Sequence, residues 1–495
     1  MVFMKNGVNA RVVQIAAIIL AAVMLLIVNR EFGVADNGDF SRYMHGLTSK
    51  PVYINENWPQ RGSEDWKRRF FREPIFYWSN DDGQSAWLTS ASLFWHLGKK
   101  INQYMFHQDV INLKYLGLPF FLIHFFGLFY FLERVSPKYP NVAFVFVSGL
   151  ILMTDARITA FYNSLYGETI PILTIFLIFS FFCAEQFSNS GHSQHDIKRK
   201  IFSILLLFMF LATIFSKIQY VYFILPTLLF VFYAFLSNST SITKFKFLML
   251  ACFAVFLIGI ITGITVYETK QRGISTKIYH ALQRGISTNT YHALYYGILP
   301  HSKDPLQLME QLGLPLESRE LIGKLNPVGE SPSINVKTFF SAIVADPNAF
   351  VHLLLCNAKQ VGNFDIPLGM VYGNWSQYPP ELISVFSSIF TKYSGITLSS
   401  VILLLSLALL AYPCGGTPER RFSSRVFTTI LLTVILADAA VSTFDGQSEV
   451  RKHVHVASIS LVMMMIHVIS SMIEHLSNSR LKKTNEGYLE VYHSS

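Results

Sequence analysis

The sequence predicts an all-α polytopic membrane protein of about ten transmembrane helices, with two large segments on the outer face. Three observations carry this reading. Of 495 residues 51% are hydrophobic and only 14% charged, with a mean hydropathy of +0.37, whereas a soluble domain carries roughly 25% charged residues. Apolar stretches long enough to cross a hydrocarbon core recur along the chain. The short connections that would face inward are basic, which explains the net charge of +9 as topology. Nucleic acid is excluded as a partner, because the basic residues lie in loops and form no helix-length stripe with aromatics.

The apolar stretches lie at 12–29, 113–132, 141–157, 168–185, 201–217, 220–237, 246–267, 396–412, 426–442 and 454–473. Residues 1–29 hold an uncleaved first helix. Its apolar core outruns the about 7–15 residues of a secretory signal, and Arg30 and Glu31 precede the small-residue run Gly33-Val34-Ala35. Residues 30–112 form the first large outer loop, 113–267 carry helices two to seven, 268–395 form a second, partly helical outer domain, 396–474 carry the last three helices, and 475–495 form an inner tail. The inner connections then contain Lys5 and Arg11, Arg134 and Lys138, Lys198 to Lys200, Lys244 and Lys246, Arg420, Arg421 and Arg425, and finally Arg480, Lys482 and Lys483. Long translocated segments escape the charge rule, so Lys67, Arg68, Arg69 and Arg72 are compatible with this orientation.

Within the second outer segment, Leu306–Leu314 and Val336–Leu355 have the mixed pattern of short amphipathic helices, separated by the loop-forming run Asn326 to Pro332. The run Gln271 to Leu282 recurs at Gln283 to Leu294, and two copies are too few for a solenoid, so it reads as a local duplication. Cys183, Cys252, Cys356 and Cys414 are far apart, show no CxxC or Cys/His metal spacing, and place only Cys356 outside.

Four constellations carry chemistry. Asp36-Asn37-Gly38-Asp39-Phe40, followed by Arg42, lies just beyond the first helix. Such carboxylates can take a proton from a hydroxyl or hold a divalent cation, or they form an Asx-turn that caps the next element. Asp155 and Glu168 flank the entry to the fourth helix, where a charge at membrane depth costs several kcal/mol unless paired. A helix N-terminal acid favoured by the macrodipole is the alternative. Lys217 and Gln219 occupy a short outer turn, where a lysine runs against the inward bias and fits a lipid phosphate, or else snorkels to headgroups. The last outer loop holds Asp445, Glu449, Arg451, Lys452 and His453, with His455 after it. These cations suit a phosphate-bearing ligand better than a metal, or the loop is simply solvated.

With these residues the chain resembles the GT-C superfamily of integral-membrane glycosyltransferases, and among them the bacterial O-antigen glucosyltransferases of serotype conversion. The likeness rests on many spans, an early outer loop bearing Asp36 and Asp39, a second carboxylate at Asp155 or Glu168, and a large late outer domain. It covers nearly the whole chain as architecture and only short segments as motif. Two residues separate Asp36 from Asp39, so there is no Asp-x-Asp, and the WWD pattern of oligosaccharyltransferases is absent.

The resemblance implies transfer of a hexose from a polyprenyl-phosphate donor to a polysaccharide or lipid-linked glycan, at the periplasmic face of a bacterial inner membrane. Asp39 would be the general base, with Asp36 as its substitute, and Glu168 would position the acceptor or support the transition state. Lys217, Arg451, Lys452 and His453 would neutralise the departing phosphate, while Arg42, Asp155, Gln219, Asp445 and Glu449 would line the substrate site. It implies no definite cofactor, leaves a divalent cation open, and allows a companion flippase. Two other readings compete: a transporter of a lipid-linked saccharide, and an O-antigen polymerase or ligase. No internal symmetry favours the first, and the early acidic run fits the second poorly.

Overall fold

Helices dominate the computed structural model, which describes residues 7–34, 51–52, 75–78, 90–108, 110–164, 166–187, 197–237, 291–324, 336–364, 370–371, 381–393, 396–411, 417–443 and 454–493. α1 (Gly7–Val23) continues through a π-turn (Met24–Val28) and a 3₁₀ turn (Asn29–Glu31) into β1 (Gly33–Val34). β2 (Pro51–Val52), β3 (Ile75–Trp78), α2 (Ser90–Met105) and β4 (Val110–Asn112) follow. Then come α3 (Leu113–Leu116), α4 (Leu118–Arg134), α5 (Pro140–Met153) and α6 (Ala156–Thr159), which runs into a 3₁₀ turn (Ala160–Asn163). α7 (Thr169–Phe187), α8 (Ile197–Ile214), a 3₁₀ turn (Ile218–Phe223) and α9 (Ile224–Ser237) complete the first half.

A smaller unit comprises a π-turn (His292–Ile298), a 3₁₀ turn (Leu299–His301), α10 (Pro305–Gln311), α11 (Val336–Ala345) and α12 (Pro347–Ala358). β5 (Met370–Val371) and α13 (Val385–Lys392) lead to α14 (Ile396–Ala411), α15 (Pro418–Ser442) and α16 (His455–His493).

α7 is the hub of the bundle, packed against by α4, α5, α8, α15 and α16. Its apolar window is 94% buried, as expected of a helix that is hydrophobic on every face. α1 is its opposite, a peripheral helix only 22% buried. There Ala10, Ala17 and Ala21 face inward while Val12, Ile15 and Ile19 face out, so small residues let its backbone approach α4 closely. The smaller unit has a separate core built on Tyr291, Leu294, Tyr295, Ile298, Met309, Phe339 and Leu353.

Helix starts follow the sequence closely. Asp304, Asp346 and Thr417 each precede a proline, and their side chains accept from the amides of Gln307 (3.0 Å), Ala349 (2.9 Å) and Arg420 (3.3 Å). The cap satisfies an orphan donor, and the proline occupies the first helical position where its missing N–H is harmless.

One expectation needs correction, and a second is met in part. The fold is not purely α: β1 pairs with β5 antiparallel (Gly33 opposite Val371), and β2, β3 and β4 form an antiparallel sheet. The run Ile75-Phe76-Tyr77-Trp78 is strongly β-prone, but a search for membrane-length apolar stretches passes over runs of four. Second, among the described residues five helices are long and apolar enough to cross a membrane: Ala10–Glu31, Thr169–Phe187, Gln219–Leu236, Pro418–Ser442 and His455–Ser477. Two bent pairs bring the number to seven if each counts as one span, so several spans are shown and the full count of ten belongs to the proposed arrangement. α4 and α14 are shorter, at 17 and 16 residues, and α8 opens with Lys198, Arg199 and Lys200. The expected span 246–267 and most of the duplicated run 271–294 lie outside the described residues. One bent pair is α5 with the Ala156–Asn163 stretch, at 42°. The other is α11 with α12, at 103°, which folds back on itself as a corner instead of crossing.

The glycine between α3 and α4 marks a close approach. A Cβ on Gly117 would stand 2.4 Å from the Tyr162 carbonyl oxygen and 2.6 Å from Asn163 Oδ1. Gly117→Ala should therefore destabilise the protein by about 1–3 kcal/mol, read as a lower unfolding temperature in detergent. At the α11–α12 corner the Ala349 amide and then the Ser302 hydroxyl hold the Asp346 carboxyl below its ordinary value. A depressed carboxyl contributes stability above the unfolded value, lost as pH falls through the folded one. Asp346→Ala should thus weaken the α12 cap by about 1 kcal/mol at neutral pH. Amide exchange across 348–350 should be faster in the variant at neutral pH, and the difference should vanish in acid.

Candidate functional site

The polar residues of the bundle collect at its two ends, and the two ends are built differently. At one, Arg199 on α8 makes a two-pronged contact with Glu185 on α7, at 2.8 and 2.7 Å, and the Tyr233 hydroxyl of α9 donates to the same carboxylate at 3.1 Å. Lys198 pairs with Glu133 there, and Gln14 of α1 donates to the Leu132 carbonyl at 3.0 Å. Phe422, beside Arg420 and Arg421 at the start of α15, packs on Tyr233. Among the described residues, Lys198, Arg199, Arg420 and Arg421 therefore gather at this end.

The opposite end holds Glu168, Lys217, Gln219 and Asp155. Glu168 immediately precedes α7, and its carbonyl accepts the Ile172 amide at 3.1 Å, so the residue stands at the head of the hub helix. Its side chain is fully buried, and Lys217 Nζ donates to Oε1 at 2.9 Å, with 21% of the lysine side chain exposed. Burying a carboxylate without a cation costs several kcal/mol, so the pair fixes the separation of the α7 head from the α8 tail. Lys217 is in extended backbone (φ −161°, ψ 142°) and opens the turn that carries Gln219. Below the pair, the Thr174 hydroxyl meets the Thr213 hydroxyl at 2.7 Å and also donates to the Met209 carbonyl at 3.1 Å. α2 closes the flank, since the Ser90 amide donates to the Phe215 carbonyl and its hydroxyl to that of Ala212.

Asp155 sits in the break between α5 and α6, almost wholly buried. Oδ1 accepts from the Arg157 amide at 3.0 Å and the Ser387 hydroxyl at 2.9 Å, and Oδ2 accepts from the Ser387 amide at 3.0 Å. These contacts cap α6 and tether α13, giving Asp155 a structural task. Asn29 bridges the end of the first helix to the same break, donating to the Thr154 carbonyl and the Thr159 hydroxyl, both at 2.9 Å.

The turn Ala160–Asn163 joins three segments that are far apart in the chain. Asn163 Nδ2 donates to the carbonyls of Arg30 (2.8 Å) and Phe32 (2.7 Å), on the chain that leads toward the acidic run. Phe161 packs against His455, ring centroids 4.9 Å apart, on the chain that emerges from the basic loop. The Phe161 carbonyl accepts from the Thr169 hydroxyl at 3.0 Å, next to Glu168. One buried turn thus touches the flanks of three of the four constellations. Asp36, Asp39, Arg42, Asp445, Glu449, Arg451, Lys452 and His453 themselves lie outside the described residues.

Sequence reasoning passed over Asp438. It lies inside α15, is buried, and accepts from the Tyr222 hydroxyl (2.8 Å) and the Ala457 amide (2.9 Å), joining the turn after Lys217 to the start of α16. A single acid within an apolar run was the available signal, because such a charge needs partners. The cysteine reading also needs correction. Cys356 lies four residues after His352 on α12, and the two meet His301, all three donor atoms lying within 4.8 Å of one another.

Residues 2–319 match the family model of the YfdI N-terminal transmembrane domain. No curated protein and no solved structure matches the chain. With that match and five to seven candidate spans, the chain is a multi-pass membrane protein.

Lys217→Met should leave the Glu168 carboxylate buried without its cation and cost about 3–5 kcal/mol, seen as a lower unfolding temperature in detergent. The double variant Lys217→Met with Glu168→Leu should recover most of that loss. A double-variant loss equal to the sum of the Lys217→Met and Glu168→Leu losses would show that the two side chains are not coupled.

Proposed function

The chain belongs to the family of the YfdI N-terminal transmembrane domain, and on that footing we propose that it is a membrane hexosyltransferase. YfdI is a serotype-conversion glycosyltransferase-like protein. The reaction proposed is transfer of a hexose, glucose being the first to try, from a polyprenyl-phosphate donor to a cell-surface glycan such as O-antigen. It takes place on the periplasmic side of a bacterial inner membrane and inverts the anomeric centre. The observation that carries the reading is the Ala160–Asn163 turn, which ties the flanks of the acidic run and of the basic loop to the head of α7.

In the proposed reaction an acceptor hydroxyl attacks the anomeric carbon and passes its proton to Asp39, with Asp36 in reserve. The bond between that carbon and the phosphate oxygen breaks, and the lipid phosphate keeps the electron pair. Lys217, Arg451, Lys452 and His453 face the charge that grows there. Glu168, buried against Lys217, is a positioning residue that holds the ammonium at the head of α7. Arg42, Gln219, Asp445 and Glu449 complete the polar lining. Asp155, which already ties α6 to α13, shapes the wall from behind. The ten-span arrangement, with segments 30–112 and 268–395 both outward, belongs to the same proposal. Gathering of basic residues at the Glu185 end supports that orientation. A divalent cation beside Asp36 and Asp39 stays open within the scheme, as does a companion flippase.

The test is transfer of radiolabelled sugar from undecaprenyl-phosphate-glucose to isolated surface polysaccharide by the purified chain. Asp39→Asn should lower the rate by about 10²–10⁴-fold, the range for loss of a general base. Absence of transfer from every lipid-phosphate sugar tried, with the lipid still bound, would transfer the assignment to a lipid-linked saccharide transporter. Activity confined to diphosphate-linked glycans would assign a polymerase or ligase.

A further inference from the structure

His352 and Cys356 lie four residues apart on α12 and so project from one face, a turn apart. His301 reaches them from the Leu299–His301 turn. His352 Nδ1 stands 3.1 Å from His301 Nδ1, and Cys356 Sγ stands 3.7 Å from His352 Nδ1. We propose that His301, His352 and Cys356 form a site for one divalent cation of the zinc class, with its fourth coordination position open to solvent.

The separations fit that chemistry. Tetrahedral zinc, with bonds of about 2.0–2.1 Å to nitrogen and about 2.3 Å to sulfur, sets neighbouring nitrogens about 3.3 Å apart and nitrogen and sulfur about 3.6 Å apart. The two separations at His352 stand near those distances, and all three donors lie within 4.8 Å of one another. Two imidazoles and a thiolate are borderline-soft ligands without a carboxylate among them, which favours zinc over magnesium or calcium. His352 is exposed and the other two are half-buried, so a cation can enter and a water can complete its shell.

The backbone holds the three ligands in place before any cation arrives. Ser302, next to His301, donates to Asp346 Oδ2 at 2.7 Å, fixing the turn to the start of α12. A Cβ on Gly297 would stand 2.9 Å from Leu353 Cδ2, so the glycine lets the preceding turn lie directly against the helix that carries His352. Leu299 and Leu353 are buried in the core of the same unit. A cation here would cross-link the Leu299–His301 turn to α12 and stabilise the folded unit in proportion to its occupancy. None of the three ligands belongs to the proposed sugar-transfer machinery, so failure of either assignment leaves the other standing.

The test uses the full chain in detergent, purified without a polyhistidine tag, kept reduced, stripped with a chelator and titrated with cobalt(II) as a spectroscopic stand-in for zinc. The expected result is a single equivalent bound, with a thiolate-to-cobalt charge-transfer band in the near ultraviolet and tetrahedral bands in the visible, both bleached by zinc. Cys356→Ser should abolish the charge-transfer band, and His301→Gln should weaken cobalt binding by roughly tenfold or more. Proton release on binding should make the affinity fall as pH drops. Gel-filtration profiles matching wild type confirm that the variants fold, and the wild-type spectrum decides the matter by itself. No charge-transfer band in the wild type, or one that survives Cys356→Ser, would overturn the proposal and leave the His301–His352 contact as an ordinary hydrogen bond.

Discussion

The burial of Glu168 at the head of α7 is the constraint on which this end of the molecule depends. α7 is enclosed by other helices, so nothing at its start is solvated, and a carboxylate placed there must find its partners inside the protein. The partner is Lys217, supplied by the extended residue that follows α8. Once that pair is made, the α7 head and the α8 tail are locked together, and the Thr174–Thr213 contact below continues the lock into the apolar layer. The turn Ala160–Asn163, hydrogen-bonded to Thr169, is held by the same helix start. It carries that order outward to Phe32 and His455.

Polar seams elsewhere obey the same rule that buried polar groups are satisfied. Asp155 is consumed by an amide and a hydroxyl of Ser387 and by the cap of α6, and Asp438 by Tyr222 and the Ala457 amide. Each acid stands where a helix breaks or where another begins, and each ties segments far apart in sequence. Apolar contacts alone tolerate sliding between helices, whereas a carboxylate accepting two or three directed bonds admits one register. The apolar residues give the bundle its mass, and these few acids set its alignment.

Much of the helix layout was legible because it depends on local chemistry. Apolar length marked the central helices, whereas the starts at Asp304-Pro305, Asp346-Pro347 and Thr417-Pro418 were passed over although residues adjacent in the chain set them. Glu168 and Lys217 were each conspicuous as charges at span ends, yet their pairing was not, because the partners are 49 residues apart. The capture of Asp155 by Ser387 spans 232 residues and leaves no local trace. The strands were missed for a different reason, since β1 to β5 run from two to four residues and take their identity from a neighbour. His352 and Cys356 show a four-residue helical spacing, but without His301 beside them the spacing points nowhere.

Two ion pairs among the described residues, at opposite ends of α7, differ in geometry. Arg199 meets Glu185 through a planar, two-pronged contact with Tyr233 alongside, a geometry that fixes orientation and resists rearrangement. Lys217 donates to Glu168 Oε1 at 2.9 Å and keeps part of its side chain exposed. An ammonium is a compact charge on a flexible stem, and its donors can be re-aimed without breaking the pairing. An ion pair buried solely for stability gains little over a well-packed apolar pair. At the Glu168 end the pair ties the head of α7 to the extended residue after α8 while the lysine side chain stays partly exposed, whereas the Glu185 end is closed by a guanidinium and a tyrosine hydroxyl together. That asymmetry, more than the presence of charge itself, distinguishes the two ends of α7.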